Sequence, residues 1–432
     1  MFVVSFALAQ NTSNTSQTGD NGVITVTQTG ANTSTVTQVE TATTTPVGQQ
    51  IATVTQNGIG NTATVFQTET GDGGHTTNRA TVDQLGNLNA VNQTTYAPGY
   101  NSGQTVWAKQ VGNENLANQN ITKGYTNSFR SEQTGNDNIV NQTGSANNSH
   151  GTVEQIGARN NAAQTFSGDN HGYSGGINID QIGDDNTASQ TFLGGQQGYV
   201  QRGDILQDGN SNLATQLSDG RANVLNINQR GNSNIASQTT LGRANNAAIT
   251  QQGSFNDALQ TATGDNNDLQ TVVAGNTNDI DQMATGNSNF SYLASSHNTH
   301  NNKMSSTQTG NGNYVNSRIQ GNNVDASTFN DLAITQTGDS NRSTNYVNGN
   351  NNELDVLQTG NSNIAGTSNV DWGISQIGES NKASVLQNGN ANTASIFQTG
   401  DNNFGSISST GNGHLGTITQ TGGMNNAIIT QN

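Results

Sequence analysis

No cysteine occurs in this chain of 432 residues, and its only prolines are Pro46 and Pro98. The first absence excludes a disulfide framework and thiolate metal sites. The second leaves long stretches free of residues that interrupt strand pairing. Charge is scarce at 10%, with 13 basic residues and a net charge of −16. A nucleic-acid binder needs a basic stripe, and none is visible. The acidity reads as solubility and mutual repulsion before assembly. Hydrophobic residues reach only 29% and aromatics 5%. Such a chain cannot bury a wide apolar core. No segment is long and apolar enough for a membrane-spanning helix.

What apolar run exists is short. Residues 1–9 end in Ala7, Leu8 and Ala9 before Gln10. They resemble the core and cleavage site of a secretory signal peptide, without its basic start, so they read as a truncated remnant. Residues 10–16 form a polar segment, and the repeats run from 17 to 432 as one domain.

Glycine numbers 52, and Asn, Gln, Thr and Ser fill most of the remainder. Their order is periodic. Gln56, Gly58, Asn61, Ala63 and Gln67 set a frame that returns as Gln376, Gly378, Asn381, Ala383 and Gln387. It continues through Gly389, Asn392, Ala394 and Gln398, and again as Gln420, Gly422, Asn425, Ala427 and Gln431. In the middle, glycines fall every eleven residues from Gly209 to Gly286, and asparagines from Asn212 to Asn289. Arms opening on Gln207, Gln229 and Gln251, with Asn212, Asn234 and Asn256, alternate with arms of a second kind around Asn223 and Asn245. The true period is therefore twenty-two, which gives on the order of 17 two-armed coils.

Each arm reads as turn plus strand. Asn61, Ala63, Val65 and Gln67 alternate with Thr62, Thr64 and Phe66, and period two is a strand signal. Gly-x-x-Asn reads as a turn in which Gly supplies positive φ and Asn tolerates it. Two strands alone in water are marginal, so the coils are expected to stack in parallel, about 4.8 Å apart. Identical inward Gln and Asn then form hydrogen-bonded columns, where an isolated buried amide would cost a few kcal/mol. The expected fold is an all-β parallel solenoid with two strands per coil and Gln/Asn ladders. Ile396, Ile407, Ile418 and Ile429, each eleven apart, fill other inward positions. Extra segments at 39–50, 68–78, 95–104, 166–176 and 192–203 each follow the second strand of a coil. They are expected on one edge as surface loops.

Catalytic chemistry finds no constellation. His75, His150, His171, His297, His300 and His414 are scattered, and only His297 and His300 share a loop, a weak metal pair at best. Asp208–Asn212 faintly resembles a calcium loop but lacks the closing Glu and coincides with a repeat turn. No enzyme activity, cofactor or metal is expected.

The frame Gln-x-Gly-x-x-Asn-x-Ala-x-x-x-Gln is similar to the curlin repeat of curli fibre subunits, over nearly the whole chain from Gln17 to Gln431. The resemblance implies a bacterial extracellular subunit, exported through an outer-membrane pore, that forms biofilm amyloid and works with a nucleator. This chain departs from the family's pattern in its higher repeat number, its loops and copies such as Val273, which stands where Gln is expected. The function expected is a self-assembling fibre subunit supporting adhesion and aggregation, growing through uncapped end coils. The alternative is a monomeric solenoid acting as an adhesin or ice-binding surface.

Overall fold

The computed structural model describes residues 10–41, 49–70, 77–97, 103–169, 176–194, 200–321, 327–366 and 373–432. It is an all-β parallel solenoid of about 16 coils, with no helix among the described residues. The chain divides into two compact units, Met1–Ser211 and Asn212–Asn432.

A coil runs first arm, turn, second arm, turn. In the first unit one coil consists of Thr77–Leu85 and Ala90–Ala97. The first arm pairs in parallel with Gln49–Glu69 on one side, Gln56 facing Gln84, and with Thr105–Val111 on the other. The second arm pairs with Leu116–Ile121. Like therefore stands on like: Ala52 on Ala80, Val54 on Val82, Asn61 above Asn89. In the second unit the same rule links Leu213–Arg221 to Ile235–Arg243 and Val224–Arg230 to Asn246–Gln252. Strand Thr12–Thr18 already pairs with Thr33–Val39.

Side chains alternate between interior and solvent. Leu332, Ile334 and Gln336 are buried, and the residues between them are not. The interior is a narrow seam between two arms, so small residues matter. In the first unit the buried Phe129 and Phe166 rings stack with centroids 5.4 Å apart. Each has a glycine facing it across the seam. A Cβ on Gly144 would lie 2.6 Å from the Phe129 ring, and one on Gly151 2.9 Å from the Phe166 ring. Large against small keeps the arms at one separation.

The turns correct one expectation. Glycine does take positive φ, +133° at Gly58 and +121° at Gly86. The other left-handed residue, however, is the one before the asparagine: Leu88, Ser211, Ser233, Phe255. Its N–H donates to the previous coil, as Leu88 does to the Ile59 carbonyl at 2.9 Å. The asparagine has left the turn for the interior. Glycine has a second reason too, because a Cβ on Gly58 would sit 1.8 Å from the Gly86 carbonyl oxygen.

Of the five extra segments, the cores 42–48, 71–76, 98–102, 170–175 and 195–199 lie outside the described residues. Their flanks belong to the stack: Glu40 stands on Glu69 and Glu69 on Ala97, each at the end of a second arm. Three departures were not foreseen. The register slips where Ser295 faces Val273 but Thr299 faces Gly275, at the turn after a first arm. Strand Ser327–Thr328 stacks on Thr299 and His300 at that same turn, one coil later. Within a first arm, Ile364–Ala365 and Ile374–Ile377 are two separate strands, and Gly366 and Gly373 lie side by side between them.

Candidate functional site: the stacking ladders

The amides expected to stack form the interior of both units. In the first, Gln28, Gln56, Gln84, Gln110, Gln133, Gln155, Gln181 and Gln207 make one unbroken column, each Nε2 donating to the next Oε1 at 2.7–3.0 Å. The second N–H of the same amide crosses the seam to a backbone carbonyl, as from Gln56 to Thr33 and from Gln84 to Thr62. Carbonyls only accept, so this tether fixes which way the amide points.

Asparagine columns run beside them with the opposite sense. Asn61 Nδ2 donates back to Asn32 Oδ1 at 3.0 Å, and Asn89 back to Asn61 at 3.1 Å. The same Oδ1 also accepts a backbone N–H from the next asparagine, and Nδ2 reaches forward to a glycine carbonyl, Gly86 in the case of Asn61. A backbone N–H can only donate, so this orientation is fixed as well. In the second unit Asn212, Asn234, Asn256, Asn278 and Asn302 repeat the pattern. A further column through Asn223, Asn245, Asn267 and Asn289 occupies the other edge.

Sequence spacing located most of these residues. Gln56, Asn61, Ala63, Gln67, Gln207, Asn212, Gln229, Asn234, Gln251, Asn256, Gln376, Asn381, Ala383, Gln387, Asn392, Ala394, Gln398 and Gln420 are all buried. Asn425, Ala427 and Gln431 are half-exposed, on the last described coil. Their columns are not uniform. In second arms from Gln93 to Gln190 the glutamine sits two residues earlier, opposite Val65 rather than Gln67. An even step keeps it inward and moves it to another column. From Gln308 through Gln336, Gln358 and Gln387 it is back at the outer position.

Charges stay outside the seam or at its turns. Lys109 pairs with Glu132 at 2.6 Å, and Arg130 lies 4.5 Å over the Trp107 ring. Lys109 foremost, then Arg130, holds the Glu132 carboxyl below its ordinary range. Where acids stand together, burial foremost and then neighbouring carboxylates push Asp257 and Asp281 up. His300 accepts from the Asn276 N–H, and His414 donates to the Thr410 carbonyl. His75, His171 and the His297 side chain lie outside the described residues. No cluster of three or more His, Cys, Asp or Glu able to hold a metal ion occurs among the described residues. Asn212, in the weak calcium-loop match, instead donates to the Gly231 carbonyl.

A comparison with known families places this geometry. The sequence model of the curlin associated repeat matches residues 330–360 and 389–432. Those two stretches match the curlin repeat. No curated protein matches it. In the matched curlin repeats the defining glutamines and asparagines, Gln336, Asn341, Gln358, Asn392, Asn403 and Gln398, are the ladder residues themselves. What the repeat specifies is a surface for stacking.

Proposed function

We propose that this chain is a structural subunit of an extracellular, curli-type amyloid fibre of a bacterial biofilm matrix, and not an enzyme. Its partner is itself, and the fibre supports adhesion and aggregation. By analogy with the repeat family, an outer-membrane secretion pore and a nucleator subunit assist it. One observation carries the reading. The hydrogen-bonded columns that hold a coil in place run to the coils before and after it, like on like. A face that one coil satisfies is satisfied equally by the same coil of another copy, so growth by stacking needs no new chemistry. The fixed amide directions add that copies stack with the same sense. Reversal would set Gln donors against Gln donors.

The test is incubation of the purified chain with thioflavin T, followed by electron microscopy and fibre diffraction. Unbranched fibres with a meridional spacing of about 4.8 Å are expected. A chain that shows the β-rich circular dichroism of the fold, yet stays monomeric at high concentration, would rule the fibre out.

A further inference from the structure

Acids and aromatics divide unequally between the two outer faces of the second unit. The first-arm strands Phe290–His300, Tyr314–Gln320 and Arg342–Asn348 hold no Asp or Glu. Their outward positions instead carry Phe290, Tyr292, Tyr314 and Tyr346, with Arg318 and Arg342. Three of the chain's eight tyrosines thus share one face, and that face is positive in a chain of net charge −16. The Phe290 and Tyr314 rings lie 14° from parallel, and the Arg342 guanidinium covers Tyr314. A guanidinium stacked on a ring keeps in-plane N–H donors for a carboxylate. No carboxylate pairs with Arg342 among the described residues.

The second arms of the same coils show the reverse. Asp279, Asp281, Asp331 and Asp355 are exposed on strands Asp279–Thr285, Asp331–Thr337 and Glu353–Thr359. Lys303 stands between Asp279 and Asp331, and Lys382 is taken up by Glu353, so acids exceed cations on this face. Beside the acids project Met283 and Leu357, 48% and 42% exposed. The two faces therefore match twice over. Guanidinium meets carboxylate, and aromatic rings meet the Met and Leu side chains. One molecule cannot use the match itself, because its two arms flank the seam and their outer sides point away from each other.

We infer that the first-arm face of residues 290–348 binds the second-arm face of residues 279–359 on a second copy of this chain, side against side. The contact is heterologous. The patch a copy presents differs from the patch it covers, so every copy keeps a face of each kind to offer and the array does not close on itself. Stacking gives a fibre its length, whereas this contact gives it breadth. It uses only outward side chains and takes nothing from the ladders, so it does not depend on coil-on-coil growth.

The absence of cysteine allows a clean cross-linking test. Asn316 lies at the centre of the first-arm face, between Tyr292 and Thr344. Ser305 lies at the centre of the second-arm face, between Asp281 and Ala333. Full-length Asn316→Cys and Ser305→Cys chains are mixed at low ionic strength and treated with a short bismaleimide. The mixture should give cross-linked dimer at about five times the yield of either chain alone. Stacking coil on coil sets like faces together and cannot produce that mixed product. Sodium chloride at about 1 M, where screening reaches in to about 3 Å, should cut the yield roughly fivefold. Arg318→Gln with Arg342→Gln should do the same with an unchanged circular dichroism spectrum. Asp281→Asn with Asp355→Asn weakens the opposite face, and decides the matter if the arginine variant fails to fold. A mixture that cross-links no better than the single chains overturns the inference, as does a mixed yield indifferent to salt and to both pairs of substitutions. Fibre growth is not a readout, so this inference and the proposed function stand or fall separately.

Discussion

Within the second unit, the coils spanning residues 374–431 and those spanning 290–348 solve the same packing problem differently. In the former, Gln376, Gln398 and Gln420 donate in series along the outer column of the first arm. In the latter the same column reads Ser295, Ile319 and Val347, all buried. The outward face changes with it. Phe290 and Tyr314 stack with ring centroids 4.9 Å apart, and the Arg342 guanidinium lies 4.9 Å over Tyr314. The lesson is that a ladder is a collective property. A column can be amide or apolar, but a junction at which amides restart after an apolar residue leaves an oxygen stranded. The glutamines that restart columns, Gln93 after Val65, Gln308 after Ala284 and Gln376 after Val347, each have a buried Oε1 with no partner. At about 1–3 kcal/mol for an unsatisfied buried group, few junctions are affordable, which favours long uniform runs.

Four substitutions and one titration probe this contrast. The largest effect should come from Gly389→Ala in the regular coils. Its φ is +133°, and the new Cβ would lie 1.8 Å from the Gly411 carbonyl oxygen. Forcing the coils apart should cost at least ~3 kcal/mol and abolish a cooperative thermal transition in that region. Next is Gln398→Leu. It strands an N–H of Gln376, the Gln420 oxygen and the Lys382 carbonyl, and should cost roughly 2–4 kcal/mol in denaturant unfolding. Ile407→Val removes one buried methyl group from a column that already holds Val385, at about 1 kcal/mol. Val347→Gln should be close to neutral, within ~1 kcal/mol, because the new amide can donate to the stranded Gln376 oxygen and merely moves the junction back one coil. If Val347→Gln costs as much as Gln398→Leu, the collective picture is wrong.

The titration concerns outward acids in the second arms. Asp257 and Asp279 are register neighbours, with Asp281 on the same strand as Asp279. Burial first, then mutual repulsion, raises the folded-state values of Asp257 and Asp281 above their ordinary range. A carboxyl raised in the folded state favours folding below its unfolded value, and that contribution is lost as pH rises through the folded value. Thermal stability should therefore increase on moving from neutral to mildly acidic pH, and Asp279→Asn should shrink that increase. The Lys109-paired Glu132, lowered in the folded state, works in the other direction as pH falls through its folded value.

Much of this was legible in the sequence because a solenoid repeats its own evidence. The eleven-residue spacing of glycine and asparagine gave coils, arms and parallel stacking, and Asn212, Asn223 and Asn234 are inside as stacking requires. The turn was misjudged at one position. The left-handed residue is Leu88, Ser211, Phe255 or Met424, a position without a constant side chain, because a backbone hydrogen bond to the previous coil holds it. The shift of glutamine between columns at Gln93 was also hidden. Both positions face inward, and only the pairing of Val65 with Gln93 reveals the change.

The opposed senses of the amide columns have a consequence for length. Along its own column each glutamine amide gives a proton to the glutamine of the next coil, and each asparagine amide gives one to the asparagine of the coil before. A helix aligns all its peptide dipoles and accumulates partial charge at its tips. Here the two kinds of column oppose one another, so adding a coil builds up little charge at either end. A stack of this construction can lengthen without a side-chain amide dipole that grows with the number of coils.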